Sequence, residues 1–573
     1  MRIACPPLLR TPPFPGVPKA IGAISAPRPP QPIDDRTDVA GMLDAIRTAR
    51  VGGSFWAVAP DFAAGCTAVR VGGARQARAL AARGGERGIV ALLPVAHWSA
   101  KAAALLHDAG IPTVAGAFDP WSLLDRAARI EVPGDDELAL LGLIAGITVR
   151  CTDDGRFAGH GLTEDAAGIA AKRPASLAAV AGAALLGAVR YRDCFTGEPS
   201  DIHAAIARLA DWRRLIDANR AIAIGAGIAV WKRREVAQLL WNGSTPLRFA
   251  RSTKRAVRAA AGAGGAIAAW PSRVPADLAA EAAAAGVPLR RVEDGFIRSV
   301  GLGSNLHPPL SIVADARGIY YDPSAPSDLE TLLAEHPFDA PLLDRARRLA
   351  DTIVRAGISK YSGGGGAFRI DSPAARTVLV AGQVEDDLSV RLGGGDVAGN
   401  RDLLARARAA EPDAFILFKP HPDVDAGHRA GRIDDADALR FADRVVRDVP
   451  MAALLDAVDG IHVLTSLAGY EALLRGRDVT VHGSPFYAGW GLTRDLGPAL
   501  PRRTRTLTID QLTAAALILY PRYLDPVTGL PCPPETLVHR LASQARPRET
   551  ALIRARRLQG WLRRAHSPIG RLA

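Results

Sequence analysis

The chain has 573 residues, of which 48% are apolar and 23% charged, with a formal net charge of +12 and a pI of about 9.8. That length exceeds a single hydrophobic core and predicts three or four domains, and the composition is that of a globular, soluble chain rather than a disordered one. Cys5, Cys66, Cys151, Cys194 and Cys532 fit neither a disulfide framework nor a CxxC zinc site, which argues for a reducing compartment without a structural metal; 5% aromatic residues and no zinc-finger or RNA-binding signature argue against nucleic acid.

Residues 1–50 are Pro-rich, lack the continuous apolar segment of a secretory signal, and read as an irregular arm. Over 51–200, apolar runs such as GIVALLPV (88–95) and GITVRCT (146–152) alternate with Ala/Leu-rich helical stretches. The rhythm recurs over 215–375, opening on AIAIGAGIAVW, and again over 376–540, with TVLVAG, DAFILFKP, GIHVLTS and DVTVHGS. Continuous apolar runs between helical patterns predict parallel sheets covered on both faces, hence an α/β protein in which two Rossmann-like domains face a cleft. Ala-rich stretches such as 259–269 and 279–285 are broken by Gly, Pro or charge before reaching the ~20 apolar residues of a membrane span. The tail 541–573 interleaves Arg546, Arg548, Arg554, Arg556, Arg557, Arg563 and Arg564 with Leu552, Ile553, Leu558, Trp561 and Leu562, a pattern suited either to an anionic membrane surface or to a solvated helical cap.

The sequence contains an internal repeat. Gly476, Val479, Ala488, Gly489, Gly491, Leu492, Thr493 and Asp495 match Gly146, Val149, Ala158, Gly159, Gly161, Leu162, Thr163 and Asp165 at an offset of 330, and Thr528-Gly529 answers Thr196-Gly197 at 332. The chain therefore reads as the end of one module followed by a complete one. Leu141 stands for Glu471, Thr152 for His482 and His160 for Trp490, and no KPHPD or EDGFIRS segment precedes Gly146, so the 51–200 copy reads as a degenerate partial module.

The second copy concentrates chemistry-bearing residues where strands end. In FKPHPD, Lys419 and His421 follow a buried strand and can donate to phosphate, or the histidine simply caps a helix. LTSLAGYEALLRG enters a helix at Thr465 or Ser466, whose free amides suit phosphate, and Glu471 can accept from ribose hydroxyls; ordinary capping and a solvated glutamate are the alternative. AGQVEDDLSV gathers Glu385, Asp386 and Asp387 beside Gln383 and Ser389, carboxylates able to serve an anomeric centre, as nucleophile or by electrostatic stabilisation. VEDGFIRSVGLGS offers Glu293 as general acid and base, Asp294 to orient the loop and Arg298 for an anionic sugar, or it is a charged linker. Phe486, Tyr487 and Trp490 in SPFYAGWGLTRD either stack on a ligand or plug a long loop.

Taken in order, WKRREV, EDGFIRSVGLGS, PLSIVADARGIYYDPSAPSDLE, GISKY, GQVEDD, KPHPD, TSLAGYEALLRG and GSPFYAGWGLT resemble the bacterial capsular polysaccharide synthesis proteins that build a 3-deoxy-D-manno-octulosonic acid (Kdo) linker, over roughly residues 221–540. Larger members carry two complete modules, each a retaining β-Kdo transferase of glycosyltransferase-B-like, two-Rossmann architecture; here the first is shortened. The resemblance implies an acceptor-side domain at 215–375 and a nucleotide-sugar domain at 376–540. It implies acid/base chemistry at Glu293, the anomeric carboxylate in Asp386-Asp387 with Asp387 preferred, and CMP held by Lys419, His421, Ser466 and Glu471. It also implies CMP-Kdo as donor with no permanently bound cofactor, and a lipid-linked glycan acceptor at the cytoplasmic face of an anionic membrane, where other capsule assembly and export proteins are potential partners. Arg298, Lys360 or Lys232 would meet the Kdo carboxylate. No metal site is required, although Asp386 and Asp387 leave metal dependence open. Transfer from another nucleotide sugar to a different envelope glycan, or a non-catalytic assembly scaffold, are the alternatives.

Overall fold

The computed structural model describes residues 7–18, 21–34, 36–83, 88–160, 163–165, 176–297, 308–359, 368–370, 374–427 and 429–543. Two compact units emerge, one of residues 1–221 and 240–246, the other of residues 222–239 and 247–573. Arg298, Lys360 and the basic residues Arg546 to Arg564 of the tail lie outside the described residues. Among those described, no helix is long and apolar enough to cross a membrane.

The first unit contains β1 (Ser25–Pro27), β2 (Cys66–Arg70), β3 (Ile89–Leu93), β4 (Thr113–Ala115), β5 (Ala127–Val132), β6 (Thr148–Cys151), β7 (Thr163–Asp165), β8 (Val189–Arg192) and β9 (Pro199–Ser200). Six of these form a wholly parallel sheet in the order β4-β3-β2-β5-β6-β7. The run Ile89–Leu93 is buried at every position, as a central parallel strand covered on both faces must be. A small antiparallel sheet β1-β8-β9 stands beside it.

This corrects the reading of residues 1–50 as irregular. They supply β1 and a helix, Val39–Ala49, whose N-cap Asp38 accepts from the Gly41 amide and whose Met42, Leu43 and Ile46 are buried. A three-residue edge strand that ends at a proline has too little periodicity to be seen in sequence.

The second unit carries β10 (Ile222–Ala226), β11 (Arg248–Phe249), β12 (Ala266–Ala269), β13 (Leu289–Asp294), β14 (Ser311–Asp315), β15 (Thr377–Ala381), β16 (Phe415–Lys419), β17 (Arg444–Val445), β18 (Gly460–Val463), β19 (Asp478–Val481), β20 (Arg494–Asp495), β21 (Arg522–Leu524) and β22 (Pro531–Cys532). One sheet runs β11-β10-β12-β13-β14-β21-β22 and the other β17-β16-β15-β18-β19-β20. The second is parallel throughout. The first is mixed: β10 to β13 are parallel, whereas β14, β21 and β22 add on antiparallel. Apolar runs report burial rather than direction, so the expectation of two parallel sheets missed this polarity. The expected boundary at 376–540 also shifts, because after the π-helical turn Ala514–Leu519 the chain returns to the first sheet with β21 and β22.

The repeat is structural as well as sequential. The two six-stranded sheets share one strand order. Each copy then passes through a π-helical turn, at Ala183–Gly187 and Ala514–Leu519, into a strand whose tyrosine hydroxyl donates back to it: Tyr191 to the Leu185 carbonyl at 2.8 Å, Tyr523 to the Leu517 carbonyl at 2.7 Å. Ser25 faces Tyr191 as Ser311 faces Tyr523, and their hydroxyls donate to the carbonyls of Leu9 and Ile297. Leu8-Leu9-Arg10 is thus the first copy's answer to Phe296-Ile297-Arg298, a correspondence masked in the sequence because Cys5-Pro6-Pro7 stands where the second copy has Glu293-Asp294-Gly295.

Candidate active site

In parallel sheets ligands bind beyond the carboxyl ends of the strands, and there the second unit gathers its charged residues. β13 ends on Glu293 and Asp294; the turn Val230–Lys232 follows β10, and Trp270 follows β12. The Lys232 ammonium donates to Asp294 Oδ1 at 2.9 Å and lies 3.5 Å from the Trp270 ring centre. It is therefore held by a carboxylate and an aromatic face, which corrects its reading as a cation available to a sugar carboxylate. Glu293 Oε1 accepts from the Asp294 amide at 3.0 Å.

Burial pushes the Glu293 carboxyl up to about 7, the adjacent Asp294 charge adds to this, Lys232 opposes it, and Asp387 raises it further. Asp387 belongs to the other sheet's loops: it follows β15, accepts from the Leu388 amide at 2.9 Å and caps helix Leu388–Gly393. Its influence on Glu293 brings these two predicted carboxylates into one electrostatic neighbourhood, with Asp294. Asp386 and Asp387 are both exposed, but Asp386 is paired with Arg429 at 3.1 Å. Glu385 accepts from the Asn400 amide at 2.8 Å, beside Gly399 at φ +138°, and so secures the loop.

Two tyrosines complete the cluster. Burial raises both phenols above their ordinary range, and the Glu293, Asp294 and Asp387 charges raise Tyr320 further, as Glu293 and Asp387 do Tyr321. The Tyr321 side chain is buried, and its hydroxyl has no hydrogen-bond partner among the described residues. Neither tyrosine was singled out as a site residue in the sequence; the only signal was their place in the motif GIYYDPSAP.

The predicted nucleotide residues occupy the carboxyl ends of β15, β16 and β18. Gln383 and Thr465 satisfy each other, the Gln383 amide donating to Thr465 Oγ1 at 3.0 Å and the Thr465 amide to Gln383 Oε1 at 2.8 Å, so they tie two strand exits together. Ser466 caps helix Leu467–Leu473, and Glu471 is buried on that helix. Lys419 is buried and donates to the Arg447 and Val449 carbonyls, each at 2.8 Å; burial lowers its pKa. This sets its ammonium to anchoring a loop, against its expected orientation toward phosphate. His421 caps helix Pro422–Asp425, with Nδ1 accepting from the Asp423 amide at 3.2 Å, which in a neutral ring places the proton on Nε2. Phe486, Tyr487 and Trp490 are core residues; Phe486 stacks on Phe296 with centroids 4.5 Å apart, and Trp490 Nε1 donates to the Phe486 carbonyl at 2.9 Å. Of the two readings offered for that loop, the plug is the one observed. No cluster of three or more metal-ligating side chains occurs among the described residues.

The first unit differs at the matching positions. Asp136 caps helix Glu137–Ala145 where Ser466 caps its counterpart, and Arg70, at the end of β2, pairs with Asp136 at 2.9 Å. A cavity of about 100 Å³ lies there, lined by Arg70, Phe118, Glu137, Leu138 and Leu141, with Glu137 held by Arg10 at 2.6 Å.

The chain is thus of the α/β class whose charged residues gather at the ends of its strands, the place where such folds carry their chemistry in βα loops. More particularly, the chain belongs to the capsule polysaccharide biosynthesis family, whose model matches residues 265–363 and 369–523. It is 41% identical over 448 residues to the capsule polysaccharide modification protein LipA of Neisseria meningitidis serogroup A, a match covering 77% of this chain and 63% of that protein. The chain thus spans less than two thirds of that relative's length. Two solved structures of Thermosulfurimonas dismutans KpsC are also similar: the beta Kdo 2,4 transferase (33% identity, 56% of this chain, 98% of that one, TM-score 0.48) and the beta Kdo 2,7 transferase (32%, 56%, 99%, 0.46).

Proposed function

We propose that the second unit is a retaining glycosyltransferase of two-Rossmann, glycosyltransferase-B-like form that moves Kdo from CMP-Kdo to a lipid-linked Kdo acceptor in capsule linker synthesis. The observation that carries this is the carboxyl of Glu293, poised near pH 7 in the electrostatic neighbourhood of Asp387. A group that titrates there can both take and return a proton at neutral pH. In the proposed sequence an Asp387 oxygen bonds to the anomeric carbon as the bond to the CMP phosphate oxygen breaks, CMP leaving with that electron pair. The acceptor hydroxyl then bonds to the same carbon and loses its proton to Glu293, while the Asp387 bond breaks; two inversions give retention. His421, Ser466 and Glu471 would hold CMP, Lys419, Gln383 and Thr465 would fix the loops that present them, Asp294 would orient Glu293, and Arg298 would meet the Kdo carboxylate. Asp386, already neutralised by Arg429, is the weaker choice for the anomeric centre. No permanently bound cofactor enters this scheme, and the protein would work at the inner face of the cytoplasmic membrane.

We infer further that the first unit is a degenerate module without transfer activity. Leu141 replaces Glu471, and an Asp136–Arg70 pair sits where the second copy has a neutral serine cap.

Product analysis tests the main proposal. The purified protein, incubated with CMP-Kdo and a synthetic Kdo-terminated lipid, adds Kdo, and Asp387→Asn adds none. A folded parent that leaves intact donor unused would sink the assignment; an undiminished Asp387→Asn variant would keep the enzyme and discard the nucleophile.

A further inference from the structure

Between Glu235 and Asp277 the sequence has no carboxylate, yet it carries Arg248, Arg251, Lys254, Arg255, Arg258 and Arg273. Arg248 lies on β11, the edge strand of its sheet; Arg251 is in the turn that follows, and Lys254, Arg255 and Arg258 ride on helix Thr253–Gly262. All five are exposed, while the helix's inner face is Ala256 and Ala260, both buried. None of the five makes an ion pair or a side-chain hydrogen bond among the described residues. Elsewhere in the same unit some surface arginines are paired, Arg347 with Asp510 and Arg376 with Asp478 at 2.8 Å, Arg401 with Asp437 at 2.8 Å and Arg406 with Asp396 at 3.1 Å, while Arg348, Arg355, Arg391 and Arg494 stand exposed without an ion pair among the described residues. What sets this face apart is that its unpaired cations are crowded into residues 248–258 with no carboxylate among them.

An uncompensated cationic face raises the energy of the free protein by self-repulsion and is relieved by an anionic partner. The spacing and texture select among such partners. No exposed aromatic ring interleaves with the cations, since Phe249 is half-buried with the Arg233 guanidinium 5.2 Å from its ring centre, so the face lacks the stacking platform of a single-stranded nucleic-acid site. What remains is a shallow array of positive charges separated by alanines, matched by a plane of repeating phosphates. Strand order supplies the second argument. Arg251 follows the carboxyl end of β11, the same sheet edge on which Glu293 ends β13, three strands away, or ~14 Å at the usual spacing.

We propose that this face, formed by Arg248, Arg251, Lys254, Arg255 and Arg258, seats the protein on an anionic lipid bilayer, with lipid phosphates as the ligands. The geometry keeps Glu293 within reach of a sugar close to a lipid headgroup; that purpose rests on the lipid-linked acceptor proposed above, whereas the binding does not.

The test is sedimentation of the full chain with phosphatidylcholine vesicles containing phosphatidylglycerol, and with phosphatidylcholine alone, at low and high salt. Three proteins are compared: the parent, the variant Arg251→Gln/Lys254→Gln/Arg255→Gln/Arg258→Gln, and a tail variant Arg554→Gln/Arg556→Gln/Arg557→Gln/Arg563→Gln. The parent is expected to bind only the anionic vesicles, less so at high salt. The helix variant, with an unchanged melting temperature, is expected to bind at least about tenfold more weakly, as removal of four surface cations implies. A parent that ignores anionic vesicles, a helix variant that binds them as the parent does, or loss confined to the tail variant overturns the proposal. So does parent binding to a single-stranded oligonucleotide in preference to the vesicles. Vesicle binding by a parent that transfers no sugar overturns the function proposed above and leaves the seat standing; sugar transfer without binding does the reverse.

Discussion

Glu293 sits on a strand end beside a second carboxylate, and both its burial and Asp294 favour the neutral form. The consequence for rate is that the unprotonated base appears only as pH rises through about 7, so transfer follows a limb of that pKa, and Glu293→Gln removes the limb with most of the activity. The consequence for stability has a definite sign. A folded pKa raised above the ordinary 4.5 gives a contribution that is complete below 4.5 and is lost as pH rises through 7. Glu293→Gln is therefore expected to melt higher than the parent above pH 7, with the difference shrinking toward pH 4.5; thermal melts across that range decide it, and a constant difference would contradict the assignment. Tyr321 makes a separate case. A buried hydroxyl left without a partner is destabilising by ~1–3 kcal/mol, and that of Tyr321 has none among the described residues, so we expect it to make its hydrogen bond with substrate. Tyr321→Phe should leave the melting temperature equal or higher while lowering kcat about tenfold or more, the scale of a lost charge-assisted hydrogen bond; unimpaired turnover would show the phenol to be packing alone. Residue roles of this kind were the least legible in the sequence. Glu293 and Asp387 could be nominated because their motifs leave strands, but Lys232 and Lys419 were read as cations for a ligand. Their acceptors, Asp294 and the carbonyls of Arg447 and Val449, lie 62, 28 and 30 residues away in sequence, and no local pattern reveals them.

At the scale of elements, continuous apolar runs marked β15, β16, β18 and β19, and the candidate residues fell at their exits because strand ends are where polar residues can begin. What escaped was polarity and what packs on what. For the loop Ser484–Asp495 the sequence leaves a ligand-stacking surface and a hydrophobic plug both readable, and the full burial of Trp490 and Tyr487 decides for the plug, since the turns its glycines permit fold the rings inward. Between β18 and the end of β19 lies an unforeseen pair. His462 Nδ1 and His482 Nε2 are 3.0 Å apart, His462 Nε2 stands 3.6 Å from Glu411, and Arg376, Arg406, Asp402 and Arg494 act on the pair from outside. Burial lowers each to about 4, and His462 depresses His482 further. Two neutral imidazoles share one hydrogen bond; protonating either means charging a buried group. Their stabilisation is therefore complete above the ordinary pKa of 6.5 and is lost as pH falls through 4. The melting temperature should drop steeply between pH 6.5 and 4, and His482→Thr, the residue at the matching place in the first copy, should flatten that slope whatever it does to stability at neutral pH. An equally steep slope in the variant would assign the acid sensitivity to carboxylates instead.

At the scale of the whole molecule, the repeat was legible from glycines and a Leu-Thr pair at a fixed offset, because turn residues with positive φ, such as Gly159 and Gly489 at 78° and 81°, tolerate little else. Its extent was not legible: prolines had replaced the first copy's counterpart of the EDGFIRS loop, and only the shared Ser-to-carbonyl contact of Ser25 and Ser311 exposes the kinship. The two copies thus share an identical strand order and differ in what stands at one helix cap. At the first, Asp136 already presents a carboxylate, balanced by Arg70; at the second, Ser466 presents a neutral hydroxyl. A nucleotide phosphate approaching the first would meet like charge, and approaching the second it would meet free amides. Titration calorimetry with CMP is accordingly expected to give one site per chain, lost in Ser466→Asp, which transplants the first copy's cap into the second, and unaffected by Asp136→Ser alone, because Leu141 still lacks the carboxylate that Glu471 would offer to ribose. Two sites in the parent would overturn the inactive reading of the first unit, and a single site that survives Ser466→Asp would move nucleotide binding away from this helix altogether.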